Sequence, residues 1–346
     1  MTFSLFIRRA GWVVVGLLVL LWRAGYGTFP DSEFLATEIV PSLPSLPQVP
    51  PLAQFTLSSP IGAVVASLFR ATTETSFNLV QLGVLIAFVV AIGVLLCRRY
   101  DYRTAAFLGA AFVGSQTSVI LLAWIGSYDV FTVGLSSLIV LARNRWLALT
   151  AGFLLTFAAF EQGLIILAML GILAVIGMFA HWRMLLWAAV GLLVARLVQQ
   201  IWLSANHVTH GRMYFFQQTG LDAFLEQFWK SLPWLLPTGL GVTIVAVVLA
   251  VASEPSWRNR IIVISLFVAC LIPVAMTFDQ SRVFAVLTWP LVMVLLLRYA
   301  ERTAPKDIER VSMLTLGLAA LLPGIFVWTG KAQLAKHHLL RVLKNW

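Results

Sequence analysis

Residues 28–34 read TFPDSEF, and they follow closely on an apolar run, FIRRAGWVVVGLLVLLW, that begins at Phe6. With Gly25 and Tyr26 that run approaches the roughly 20 residues needed to cross a bilayer. Arg8 and Arg9 at its start mark the end kept in the cytoplasm. The run has the look of a signal peptide, yet it lacks a small-residue cleavage site and more apolar runs follow, so it reads as an uncleaved anchor. TFPDSEF therefore stands where the chain first emerges on the outer side, and it puts an acidic pair, Asp31 and Glu33, at the membrane edge.

The rest of the chain agrees with that reading. Of 346 residues, 60% are hydrophobic and 11% charged, with a mean hydropathy of +0.92. A soluble domain carries about 25% charged residues, so lipid must cover this surface. The fold class expected is all-α: one integral membrane domain over 1–346, a polytopic transmembrane helical bundle of about eleven spans with a cytoplasmic N-terminus. The net charge of +10 is scattered in small clusters between apolar runs, the pattern of cytoplasmic loops rather than of a nucleic-acid surface. Cys97 and Cys270 form neither a disulfide framework nor a zinc spacing. No P-loop, HExxH or G-x-S-x-G is present, so nucleotide-driven pumping and familiar hydrolase chemistry lack support.

Charge then sets the path. Residues 27–75 read as a first outer loop in which Pro41, Pro44, Pro47, Pro50 and Pro51 prevent a long helix. Ile61 to Phe69 is too short to span and is expected at the interface. Basic clusters at Arg98, Arg99 and Arg103, at Arg143 and Arg145, at Arg183, at Arg258 and Arg260, and at Arg298 and Arg302 mark inner turns. Residues 146–180 exceed one helix and read as two short spans meeting outside at Glu161. A second outer loop, 204–233, carries His207, His210, Arg212, Tyr214 and Trp229. The basic tail, 330–346, is expected outside. Compact loops without an Asn-x-Ser/Thr site fit a bacterial cytoplasmic membrane.

This parity places Asp31, Glu33, Asp129, Glu161, Asp279 and Arg282 at outer ends of spans. Ionisable groups at membrane depth cost about 2.5–3.5 kcal/mol each on insertion scales, so such residues face a cavity or a partner. A polar, outward-facing site built from span ends is the expectation. Plainer roles stand beside it. Thr28-Phe-Pro-Asp31 matches a loose capping box, Asp129 follows a Gly-Ser turn that favours Asp locally, and Asp279 with Arg282 could be a local ion pair. His207 and His210, three apart, would suit a metal if helical. Arg212 beside Tyr214 suits a phosphate and a ring. Arg196 is an unexplained charge within a span.

The layout of a cytoplasmic N-terminus, one span, an early acid in a long interfacial outer loop (FPDSEF) and a second acid after the third span (GSYDVF) resembles the GT-C superfamily of integral-membrane glycosyltransferases. The resemblance covers the first half of the chain, to about residue 180, and does not extend to FDQSR. It implies interfacial helices in the first outer loop and a polyprenyl-phosphate sugar donor, with a glycan, lipid or protein acceptor, membrane lipids as surroundings and no nucleic acid as partner. It further implies Asp31 as the catalytic base. Glu33, Asp129, Glu161 and Asp279 would position acceptor or donor, and Arg282 or Arg212 would bind the phosphate. If a divalent cation is used, Mg or Mn, Asp31 and Asp129 would hold it. A transporter or lipid/glycan flippase and a non-catalytic membrane scaffold subunit are the competing readings. The first predicts midplane charges and an internal repeat, and neither is visible.

Overall fold

The computed structural model of the chain describes residues 3–328, 330–335 and 337–338, with the side chains of 3–12, 52–53 and 212–213 outside that description. Helix α1 (Phe3–Ala24) leads into short turns: α2 (Ser32–Phe34), a π-helical stretch over Leu35–Ile39, α3 (Val40–Ser42), a 3-10 stretch over Pro51–Ser58, and α4 (Ile61–Leu68). The prolines do break this region, as expected. It is nonetheless a packed layer, because Ala36, Ile39, Leu57, Ala66 and Phe77 bury a small core of their own. Helix α5 (Glu74–Arg99) starts at a reciprocal cap between Thr73 and Ser76.

Helices α6 (Tyr102–Gly114) and α7 (Gln116–Ala123) form one apolar path bent by 59°. Ser115 makes the break, its hydroxyl accepting the Ser118 N–H at 3.2 Å. Then come α8 (Asp129–Leu141), α9 (Arg145–Val175), α10 (Trp182–Ala205), α11 (Arg212–Thr219), α12 (Leu221–Leu240), α13 (Ile244–Ala252), α14 (Trp257–Ala269), α15 (Leu271–Ala275), α16 (Gln280–Arg302) and α17 (Pro305–Leu321). Helix α16 is the axis of the bundle, with 94% of its apolar window buried inside the protein. It packs on α7, α8, α9, α12 and α13. Two strands follow, β1 (Phe326–Trp328) and β2 (Lys331–Gln333), paired antiparallel.

Four expectations need correction. The described apolar body is helical, but the chain is not all-α, since Phe326–Trp328 and Lys331–Gln333 pair as antiparallel strands. The loop expected at 204–233 is largely helix, and α12 runs through Pro233 and Pro237. His207 and His210 lie outside that helix, with His207 at φ +58°, so they lack the i,i+3 geometry a metal would need. The count of eleven spans is not reached on length and composition. Six described helices are long and apolar enough to cross a membrane, or up to seven if the bent α6–α7 pair is one span. The difference comes from short apolar helices such as α8 and from bent ones. Of the basic tail, Lys331 lies in β2, while Lys336, Arg341 and Lys344 fall outside the described residues.

Helix α9 is the informative case. Ala159 adopts an extended φ of −163° and ψ of 94° within it, and the second arm folds back along the first. A Cβ on Gly163 would lie 3.0 Å from Leu155 Cγ, whereas residues eight apart on a straight helix are separated by about 12 Å. Both termini of α9 accordingly lie at one end of the bundle: Arg145 sits over the Trp187 ring near the start of α10, and the Gly177 carbonyl accepts from Arg298 at 3.0 Å. The break puts Glu161 just past the turn.

The bundle therefore has two chemically different ends. One gathers Arg298, Arg302 and Glu254; the other gathers Asp31, Asp129, Asp279 and Arg282. Arg23, buried at the C-terminus of α1, donates to the Leu322 carbonyl at 3.2 Å and to the Val113 and Ser115 carbonyls at 2.5 and 3.3 Å. It ties α1, α6 and α17 together by capping exposed helix carbonyls. Arg196 is also accounted for. It bonds Gln199 at 2.7 Å and lies over the Phe160 ring, and Gln199 reaches on to the Ser58 carbonyl at 2.9 Å.

Candidate active site

TFPDSEF is held by backbone pairing. The Gly27 N–H donates to the Leu122 carbonyl at 3.1 Å, the Ile125 N–H to Gly27 at 3.0 Å and the Phe29 N–H to Ile125 at 2.8 Å. A side chain at Gly27 would collide with the Ala123 carbonyl, so glycine is what allows this approach. Ser32 Oγ then donates to Glu74 at 2.9 Å, anchoring the stretch to the start of α5. Across from it, Gly126 turns the chain at φ +99°, and a Cβ there would meet Asn78 Oδ1 at 2.6 Å. The GSYD turn thus sets Tyr128 on the same cavity wall as Asp31.

A cavity of about 230 Å3 opens between these two segments and the start of α16. Phe29, Asp31, Trp124, Tyr128, Asp279, Arg282 and Trp328 contribute to its wall. Arg282 is the hub. Its Nε lies 3.2 Å from Asp129 Oδ2, its Nη1 lies 3.3 Å from Asp279 Oδ2, and its Nη2 donates to the Tyr128 hydroxyl at 2.9 Å. The guanidinium also lies 4.8 Å from the Trp124 ring centre and 5.4 Å from that of Tyr128, within cation–π range. Asp129 is fully buried; Ser127 Oγ donates to its Oδ2 at 2.7 Å, while Oδ1 has no hydrogen-bond partner.

Asp31 stands apart from this clamp. It occupies the N-cap position of α2, yet its side chain makes no capping bond, so the capping role open to it in the sequence is not the one it takes. Burial pushes its carboxyl above the usual carboxylate range, and the Arg282 charge only partly offsets that. Asp279 likewise sits at the N-cap of α16 without capping it. Burial, then the neighbouring charges of Asp129 and Asp31, push its carboxyl upward against the pull of Arg282. A half-buried carboxylate with a raised pKa in a cavity beside a cation is suited to accept a proton.

The other candidates fall elsewhere. Glu33 is exposed beside Ser32 and does not line the cavity. Glu161 is exposed just past the α9 break and does not line it either. Arg212 opens α11, but its side chain lies outside the described residues. Nor does the donor set suit a divalent cation between Asp31 and Asp129. Asp129 is already paired with the Arg282 guanidinium, which a dication there would face, and among the described residues no group of three His, Cys, Asp or Glu side chains converges for a metal. Trp124, Tyr128 and Trp328 were not among the expected site residues. Trp124 and Tyr128 flank the Gly-Ser turn and could have been flagged from that alone. Trp328 has no such signal, because 200 residues separate it from Tyr128 and only the hairpin brings it back.

No protein-family model matches the chain, and no curated protein matches it. Among solved structures it is similar to ArnT from Cupriavidus metallidurans in the apo state, with a TM-score of 0.52 and 14% identity. It is also similar to the same protein bound to undecaprenyl phosphate, with a TM-score of 0.54 and 14% identity. Each likeness covers 89% of this chain and 62% of the other, so the chain spans less than two thirds of the neighbour's length. The chain is an integral membrane protein that shares the fold of ArnT.

Proposed function

We propose that this protein is a membrane glycosyltransferase that moves a sugar from a polyprenyl-phosphate carrier to a hydroxyl on a glycan, lipid or protein acceptor, at the outer face of the membrane. The observation that carries the reading is the uncapped Asp31 carboxyl, raised by burial, sharing one cavity with Arg282. The fold neighbour solved with undecaprenyl phosphate supports a lipid phosphate as ligand. In this reading Asp31 takes the acceptor proton while the acceptor oxygen bonds to the anomeric carbon. The bond from that carbon to the phosphate oxygen breaks, and the electron pair leaves with the lipid phosphate. Attack opposite the leaving group inverts the anomeric centre. Arg282 stabilises the charge that develops on the phosphate. Asp129, buried and held by Ser127, orients the guanidinium rather than touching substrate. No step is assigned to a metal.

The test is transfer from a radiolabelled polyprenyl-phosphate sugar in proteoliposomes by wild type and Asp31→Asn. Loss of transfer with normal insertion is expected. Retention of transfer by the variant removes Asp31 as the base.

A further inference from the structure

Arg282 is shared by two carboxylates that are held very differently. Asp129 has no exposed side-chain surface, receives the Ser127 hydroxyl at 2.7 Å and sits on the Nε edge. The Asp279 side chain is 22% exposed, lines the cavity and sits on Nη1 at 3.3 Å. It occupies the N-cap of α16 without capping it, although Asp is among the residues best suited to cap. Its backbone N–H is satisfied instead by Thr277 Oγ1 at 3.2 Å. One carboxylate is built in behind the arginine. The other reaches it from the cavity side, where a ligand would approach.

We propose that the Nη1 edge of Arg282 is the anion subsite for the donor phosphate, and that Asp279 fills it in the free protein and is displaced when a phosphate binds. This rests on the reading of Arg282 given above. A guanidinium edge presents the same forked donors to a carboxylate and to a phosphate, so the two ligands compete for one place. Charge favours the exchange. Among the described residues, Asp31, Asp129 and Asp279 face one cation, Arg282, and a phosphate bound alongside all three would add another negative charge to a confined space. An Asp279 carboxylate moved off Arg282 loses the one charge that lowers its proton affinity, while Asp129 and Asp31 still raise it. It can then take a proton, which leaves the total charge of the site unchanged. Asp279 also acts as a filter, since an anion weaker than its own carboxylate would not displace it.

The proposal predicts a mutational effect of unusual sign. Purified protein in nanodiscs is titrated with farnesyl phosphate, with farnesol and with inorganic phosphate, following Trp fluorescence, since Trp124 lies against Arg282. Asp279→Asn and Asp279→Ser are compared with wild type and Arg282→Gln; serine keeps a good N-cap residue should asparagine disturb the helix start. Removing the competitor should tighten farnesyl phosphate roughly tenfold, as when an unavailable site becomes fully available. In transfer assays the donor KM should fall more than kcat changes. Arg282→Gln should abolish the phosphate-dependent part, and farnesol should bind all variants alike. Weaker or unchanged farnesyl phosphate binding by both Asp279 variants, with Arg282→Gln still losing it, overturns the Asp279 role alone. Farnesyl phosphate binding no better than farnesol in wild type, and indifferent to Arg282→Gln, overturns the phosphate reading of Arg282 and this proposal with it.

Discussion

The two ends of the bundle each bury a carboxylate against arginine, and they do so with opposite stoichiometry. At the basic end one acid, Glu254, serves two cations: Arg302 and Arg298 at 2.5 and 3.4 Å. Asn259 adds a bond at 3.3 Å and Arg260 donates to the Glu254 carbonyl at 2.6 Å. Burial would raise the Glu254 carboxyl, but those hydrogen bonds and charges outweigh it and hold it below the usual range. At the acidic end one cation among the described residues, Arg282, serves Asp129 and Asp279 and faces Asp31, so negative charge is in excess there and burial pushes Asp31 and Asp279 upward with too little to offset it. The first arrangement surrounds its one carboxylate with cations and staples the α13–α14 turn to α16. The second leaves a carboxyl able to take a proton and opens on a cavity. Burial is common to both; what separates a staple from a site is which charge is in surplus.

The sharpest way to break this contrast is Asp31→Asn. Loss of a general base costs about 10²–10⁴-fold in rate, and transfer should fall on that scale while the detergent melting temperature stays close to wild type. Equal loss of folding would show Asp31 to be structural, like Glu254. Arg282→Gln should damage both properties, because it strands a buried Asp129. Breaking one side of a buried pair costs about 3–5 kcal/mol, readable as a lowered melting temperature alongside lost transfer. Glu254→Gln should do the converse. Charged hydrogen bonds are worth about 1.5–3 kcal/mol, so stability should drop while transfer per folded molecule is unchanged; a lowered kcat would couple the two ends.

Acid should separate the ends as well. Asp31, which shares its cavity with Arg282, Asp279 and Tyr128, has a carboxyl raised by burial and loses its base form as pH falls through a value above the ordinary carboxylate range. Glu254 has a lowered carboxyl, so its stabilisation is present above its unfolded pKa and is lost only as pH falls through the lower folded one. On acidification transfer should fail first and the fold later, as followed by activity and near-ultraviolet circular dichroism in parallel. Simultaneous loss would mean that the same group controls both. The smallest effect is expected at Trp328, whose ring lies 4.4 Å from that of Trp124 at the cavity wall. Such aromatic pairs contribute about 0.5–1.5 kcal/mol beyond their area. Trp328→Ala should therefore raise a substrate KM severalfold with kcat nearly unchanged, and Trp328→Phe should recover most of it.

The sequence by itself determined the class of protein and the company its acids keep. Apolar runs and arginine clusters are one-dimensional signals, and each reports a local choice between lipid and water. Alternating them was enough to put Asp31, Asp129, Asp279 and Arg282 at one end, and even the α9 reversal near Glu161 showed as a run too long for one helix. Distance and burial were not legible there, because they depend on how helices bend and lean. A 59° break at Ser115 and a close backbone approach at Gly27 bring TFPDSEF onto the GSYD turn. Glu33 and Glu161 are exposed and do not line that cavity, a difference that parity does not encode. The hairpin that returns Trp328 rests on long-range pairing, with the Val327 N–H on Ser281 Oγ at 2.8 Å. Only the tertiary structure decided that Asp129 is a buried clamp, Asp279 a carboxylate on the cavity side and Asp31 an uncapped acid, since each role depends on what the side chain meets once the chain has packed.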